Sequence, residues 1–97
     1  MLVIILAAAA KPAAAAEVIH IDTKAIAFMP AKVTAHVGDT VEWTNDDFVA
    51  HTATAGNGDW NISLPVHGKG KIVLKKAGKI TYTCKFHPNM TGEIDVR

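Results

Sequence analysis

Apolar and polar residues alternate along most of this chain with a period of two, and no segment sustains the 3.6-residue period of an amphipathic helix. Lys32 to Val37 places Val33, Ala35 and Val37 on one face, and Gly38-Asp39 then turns the chain. Thr40 to Thr44 returns with Val41 and Trp43 inward, followed by the turn chemistry of Asn45-Asp46-Asp47. Lys69 to Lys75 alternates lysines with Ile72 and Leu74 before a turn at Ala77-Gly78. Lys79 to Cys84 sets Ile80, Tyr82 and Cys84 on one buried face, and Thr91 to Val96 ends the chain with Ile94 and Val96 inward. The span from Ala55 to Gly70, rich in Gly and Asn, reads as loop around a short strand near Ile62 to Leu64. Short strands with turn signals about every 8–12 residues predict one all-β domain, a small β-sandwich.

The first sixteen residues break the pattern. Leu2-Val3-Ile4-Ile5-Leu6 and the alanines after it form an apolar run, too short to cross a bilayer, which takes about 20 residues. Ala14-Ala15-Ala16 before Glu17 resembles a signal-peptidase site. This predicts a signal peptide over residues 1–16, truncated in that it lacks a basic n-region, and a domain over residues 17–97 that is periplasmic or otherwise exported. No stable membrane insertion is expected.

Charge adds one exclusion. The whole chain carries ten basic and nine acidic residues; without Lys11 the two signs balance, so no net charge drives residues 17–97 onto nucleic acid or membrane. About 80 residues bury only some 60–65% of their unfolded surface, which leaves a thin margin of stability. The single cysteine excludes an internal disulfide, and a lone thiol in an exported protein points to either intermolecular pairing or a dedicated chemical use. A bound metal would supply folding free energy as well as chemistry.

That cysteine opens Cys84-Lys85-Phe86-His87-Pro88-Asn89-Met90, in which a thiolate, an imidazole and a thioether recur at three-residue intervals. Three extended residues span about 10 Å, so Cys84, His87 and Met90 can share an ion only if the segment coils. Pro88 restricts the loop, and Gly92 frees the backbone to re-enter a strand. His51 lies in a separate connection after Trp43, and alternate connections of a sandwich meet at one end. Two His, one Cys and a weak axial Met are the ligands of a blue-copper electron-transfer centre. Thioether is a poor fourth donor for structural zinc, which prefers four strong ligands. The expected metal ligands are therefore His51, Cys84, His87 and Met90, around one copper ion cycling between Cu(I) and Cu(II).

At these residues the chain resembles the cupredoxins, within them the amicyanin- and plastocyanin-like small blue copper proteins. Phe28-Met29-Pro30 with Val33, then Gly38 to Asn45 and His51, look like the family's first ligand region; Tyr82-Thr83-Cys84 through His87-Pro88 to Met90-Thr91-Gly92 look like its second. The Cys-x2-His-x2-Met loop is the short form seen in amicyanins. The resemblance implies a Greek-key sandwich of about eight strands. It also implies a monomeric periplasmic carrier, not an enzyme, moving single electrons between a dehydrogenase and a c-type cytochrome, with docking near His87 beside Phe86 and Pro88. Two positions depart from the pattern: Ala50 stands where amicyanins have Pro, and Thr52 where they have an Asn that braces the ligand loops.

Competing readings are weaker. A Cys–His hydrolase needs an oxyanion hole and a cleft, and the sequence signals neither. A binuclear copper site needs a second cysteine. The runner-up is a periplasmic copper carrier or storage protein on the same fold. Met29 reads as packing, His67 as a loop residue, and His20 and His36 as solvated. Lys69, Lys71, Lys75, Lys76, Lys79 and Lys85 read as a solubilising face that could also steer an acidic partner.

Overall fold

The alternation is realised as strands throughout. The structure, a computed structural model, describes residues 2–4 and 15–97, so most of the expected signal peptide lies outside the described residues. Among the described residues nine strands follow one another: β1 (Val18–Lys24), β2 (Ala27–Met29), β3 (Lys32–Ala35), β4 (Thr40–Asn45) and β5 (His51–Ala55). They continue with β6 (Asn61–Leu64), β7 (Lys69–Val73), β8 (Gly78–Thr83) and β9 (Thr91–Val96). One sheet has the order β2-β1-β4-β7 and the other β3-β9-β8-β5-β6. β1 runs parallel to β4 and β3 parallel to β9, while the remaining neighbours are antiparallel. Because β3 crosses to the second sheet before β4 returns to the first, the sheets interlock as an all-β Greek-key sandwich. Among the described residues no helix is long and apolar enough to cross a membrane.

Side-chain alternation decides which face is buried. In β4, Val41, Trp43 and Asn45 are buried while Thr40, Glu42 and Thr44 are half-covered. From the opposite sheet Tyr82, Ile94 and Val96 point back at them. The Tyr82 ring lies 4.6 Å from Phe28 and 5.4 Å from Trp43, edge-on to both, the arrangement that aromatic quadrupoles favour. Gly92 sits directly opposite Tyr82 in the β8–β9 ladder, and a Cβ there would overlap the tyrosine ring. Gly92 therefore makes room for the central aromatic residue as well as re-entering the strand. Gly70, opposite Trp43, permits a similar close approach between β7 and Ile62 of β6, and so closes one side of the sandwich.

The edges are managed by charge. β7 is the last strand of its sheet, and Lys69 and Lys71 on it are exposed, which discourages strand addition from another chain.

Several expectations need correction. The ninth strand is β2, joined to β1 by a two-residue turn at Ala25-Ile26 with φ of 52° and 55°. Such turns normally carry Asn-Gly, and the absence of that signal hid the hairpin. His51 opens β5 rather than lying in a loop; β5 is rich in Ala and Thr and sits between β6 and β8, so its burial leaves no alternation to read. Val37 lies beyond the end of β3 at Ala35 and is exposed rather than inward. Met29 is 58% exposed, so it is not packing either.

The left-handed turn at Ala25 carries a cost that can be measured. Holding a residue with a Cβ in that conformation costs about 1 kcal/mol, and Ala25 is exposed. Ala25→Gly should raise the urea midpoint by that amount of stability, about 1 kcal/mol. An unchanged or lower midpoint would show that the turn is not strained.

Candidate metal centre

The Cys84 loop coils by two successive turns. The His87 N–H reaches the Cys84 carbonyl at 3.4 Å, the Met90 N–H reaches the His87 carbonyl at 2.9 Å, and the Cys84 N–H closes the loop on the Met90 carbonyl at 3.0 Å. Each turn brings residues three apart together, so the Cys-x2-His-x2-Met spacing becomes a spatial cluster. Pro88 occupies the second position of the His87–Met90 turn, where its fixed φ fits.

His51 comes to the same place from the start of β5. The Cys84 Sγ lies 3.7 Å from Nδ1 of His51 and 3.7 Å from Nδ1 of His87. One donor atom from each residue falls within 4.8 Å of the others, and the two imidazole centroids are 5.0 Å apart. A metal about 2.0–2.1 Å from each imidazole nitrogen and about 2.3 Å from sulfur, at angles between tetrahedral and trigonal, sets N and S roughly 3.5–3.8 Å apart. The observed separations lie inside that range, so the residues present fit one copper ion. His51, Cys84 and Met90 are fully buried and His87 half-buried; Met90 belongs to the same core cluster as Cys84.

The surroundings favour a thiolate. Burial pushes the Cys84 thiol up, but the Thr52 N–H at 3.4 Å, the imidazoles of His87 and His51 and the Phe86 N–H more than offset it, lowering the pKa to about 6. Thr52 thus takes over the bracing role at the departure from the amicyanin pattern. Its hydroxyl accepts the Lys85 N–H at 2.9 Å and lies 3.0 Å from the Thr54 hydroxyl, which donates to Asn61 Oδ1 at 2.7 Å. Strand β5 is in this way tied to the cysteine loop by side chain as well as by sheet.

Two residues of the Asn45-Asp46-Asp47 turn organise the other half of the site. Asn45, fully buried, donates through Nδ2 to the carbonyls of Val49, Leu64 and Pro65 at 2.9, 2.9 and 3.2 Å. Its Oδ1 accepts the Asp47 N–H at 2.9 Å. The Asp47 carboxylate in turn lies 2.7 Å from Nε2 of His51. Burial pushes the Asp47 carboxyl up, but the Ile26 N–H, His51 and the Ala25 N–H outweigh it and hold it below the usual carboxylate range. The i,i+4 spacing of Asp47 and His51 was the one available signal.

The remaining histidines stay apart. His20 and His36 are exposed on outer faces and His67 sits in a loop with φ of 61°. Among the described residues, His51, Cys84 and His87 are the one group of three or more His, Cys, Asp or Glu placed to share an ion. Around His87 the surface is apolar. A shallow hollow there is lined by Ile26, Phe86, His87, Pro88, Asn89 and Met90, of which Ile26 and Phe86 are exposed apolar side chains.

The sequence matches the cupredoxin-like domain family over residues 1–96. Among solved structures, the reduced state of a proline-to-phenylalanine variant of amicyanin superposes with a TM-score of 0.73 at 27% identity over 81% of each chain. The oxidized state of a proline-to-alanine variant gives 0.72 at 26%, again over 81% of each chain. The reduced Cu(I) form, at pH 4, of a proline-to-glycine variant of amicyanin gives 0.71 at 27% over the same shares. No curated protein matches the sequence.

The thiol predicts a pH dependence in the metal-free protein. Cys84 has a lower pKa in the folded state, about 6, than the 9.0 of an unperturbed thiol, so its ionisation stabilises the fold. That contribution is complete above about pH 9 and disappears as pH falls through about 6. The urea midpoint should rise across this window, and Cys84→Ser should flatten the rise. An equally steep rise in the serine variant would contradict the assignment.

Proposed function

The chain belongs to the cupredoxin-like family, and from that premise we propose that it is a mononuclear blue copper protein carrying one electron at a time. The observation that carries this reading is the convergence of the Cys84 sulfur and two Nδ1 atoms at 3.7 Å each, in a buried site. In this reading Nδ1 of His51, Sγ of Cys84 and Nδ1 of His87 would hold the metal, with the Met90 thioether as a weaker fourth donor. Copper, when bound, supplies the one-electron couple between cupric and cuprous states.

The chain's own residues impose the geometry. The double turn fixes Cys84, His87 and Met90 relative to one another, and Thr52 and Asp47 fix His51 relative to them. Donors held this way shift little when the metal changes charge, so little reorganisation opposes transfer. Burial of Cys84, His51 and Met90 keeps solvent from the thiolate. His87, half-buried beside Phe86 and Pro88, is the group through which the electron leaves.

Redox proteins are the partners of such a carrier: a periplasmic dehydrogenase as donor and a c-type cytochrome as acceptor, docking on the apolar surface around His87. The domain over residues 17–97 works as a monomer after export and cleavage of residues 1–16, and it is not an enzyme. The exposed lysines of β7 and its surroundings lie on a separate strand edge and serve solubility first.

The reading is tested by adding one equivalent of Cu(II) to the metal-free protein. An intense visible thiolate-to-copper charge-transfer band, narrow copper hyperfine splitting and reversible one-electron reduction are expected. A colourless complex that cannot be cycled would overturn it in favour of copper carriage or storage.

A further inference from the structure

Asp47 makes more contacts than a turn residue needs. Its Oδ1 accepts the Ala25 N–H at 2.7 Å, and its Oδ2 accepts the Ile26 N–H at 3.0 Å while lying 2.7 Å from Nε2 of His51. Asp47 itself is buried, and its backbone is fixed by the Asn45 side chain. One carboxylate therefore joins three things: the β4–β5 connection, the left-handed Ala25-Ile26 turn, and the far nitrogen of a residue whose near nitrogen faces Cys84.

A neutral imidazole that donates Nε2–H to a carboxylate leaves Nδ1 unprotonated, and the partner also makes the ring a stronger donor. Among the described residues His87 has no carboxylate within salt-bridge distance; His51 does. The two imidazoles are thus inequivalent: one is fully buried and braced by a buried anion, while the other is only half-buried and lacks such a brace. The same carboxylate holds the strained turn that carries Ile26, which lines the apolar hollow beside Phe86 and His87. Backbone strain maintained by such contacts marks functional positions more often than incidental ones.

We propose that Asp47 is a positioning residue for His51, committing Nδ1 to the metal, weighting the centre toward the cupric state, and seating Ile26 at the docking surface. The proposal rests on the blue-copper reading for the metal and the docking surface, while the tautomer it assigns to His51 is independent of that reading. A negative charge reaching the metal through one imidazole stabilises Cu(II) over Cu(I), so its removal raises the reduction potential.

Two variants and two readouts test this. In the metal-free protein, nitrogen NMR should find His51 as the Nε2–H tautomer, and Asp47→Ala should mix the tautomers. In the copper-loaded protein, Asp47→Asn should keep its colour while the ratio of Cu(II) to Cu(I) affinity falls about tenfold or more, roughly 59 mV upward per tenfold for one electron. Asp47→Ala should also weaken copper binding by about 10–100-fold, as loss of a ligand's hydrogen-bond partner typically does. Should the alanine variant not fold, Asp47→Asn carries both comparisons, since its amide oxygen can still accept one turn N–H. Nδ1–H on His51 in the parent, or an unchanged tautomer and potential in the variants, would overturn the proposal. A colourless parent would sink the blue-copper reading alone, and the tautomer comparison would still decide the role of Asp47.

Discussion

The meeting of the Cys84 sulfur with two imidazole nitrogens is the constraint that the rest of the molecule serves. It brings together residues 33 positions apart, at the start of β5 and the end of β8. These strands are neighbours in one sheet, but their ladder pairs only Thr54 with Thr83 and Ala55 with Tyr82. Beyond that point the strands part, and the Thr52 N–H and hydroxyl span the gap to Cys84 Sγ and the Lys85 N–H. The site is a local opening of the sheet, held at a fixed width by one threonine.

The core supports this opening rather than merely lying beneath it. Tyr82, two residues before Cys84 on the same face, is wedged between Phe28 and Trp43 and laid over Gly92. Rotation or slippage of β8 would have to displace that aromatic cluster, so the direction of the thiolate is set by packing deep in the sandwich. Its chemical state is set at the surface end, by donors that outweigh the cost of burial. Rigidity from below and polarity from above together suit a centre that must change charge without changing shape.

Much of this was legible in the sequence, and the reasons are specific. β4, β8 and β9 alternate cleanly because one face of each meets the core, so Trp43, Tyr82, Ile94 and Val96 could be assigned inward. The Cys84 loop was legible because thiolate, imidazole and thioether recur at the interval of a turn. β2 was not, since Ala25-Ile26 adopts left-handed backbone without the residues that announce it. β5 was not, since a strand of Ala and Thr carries no amphipathic signal. Asn45 and Asp47 were placed in a turn, but what they bond to depends on the fold: Leu64 and Pro65 are about twenty positions away and Ala25 lies on another hairpin. Sequence shows which groups can coordinate; only the folded chain shows which hold those groups in place.

The central claim is that a preformed set of one sulfur and two nitrogens receives copper without rearranging. X-ray absorption at the copper edge, recorded on the oxidised and reduced forms of the full chain, measures that directly. The account predicts one short sulfur and two nitrogen neighbours in both states, with bond lengths that barely change between them. A shell of oxygen and nitrogen alone, or one that reorganises on reduction, would contradict it.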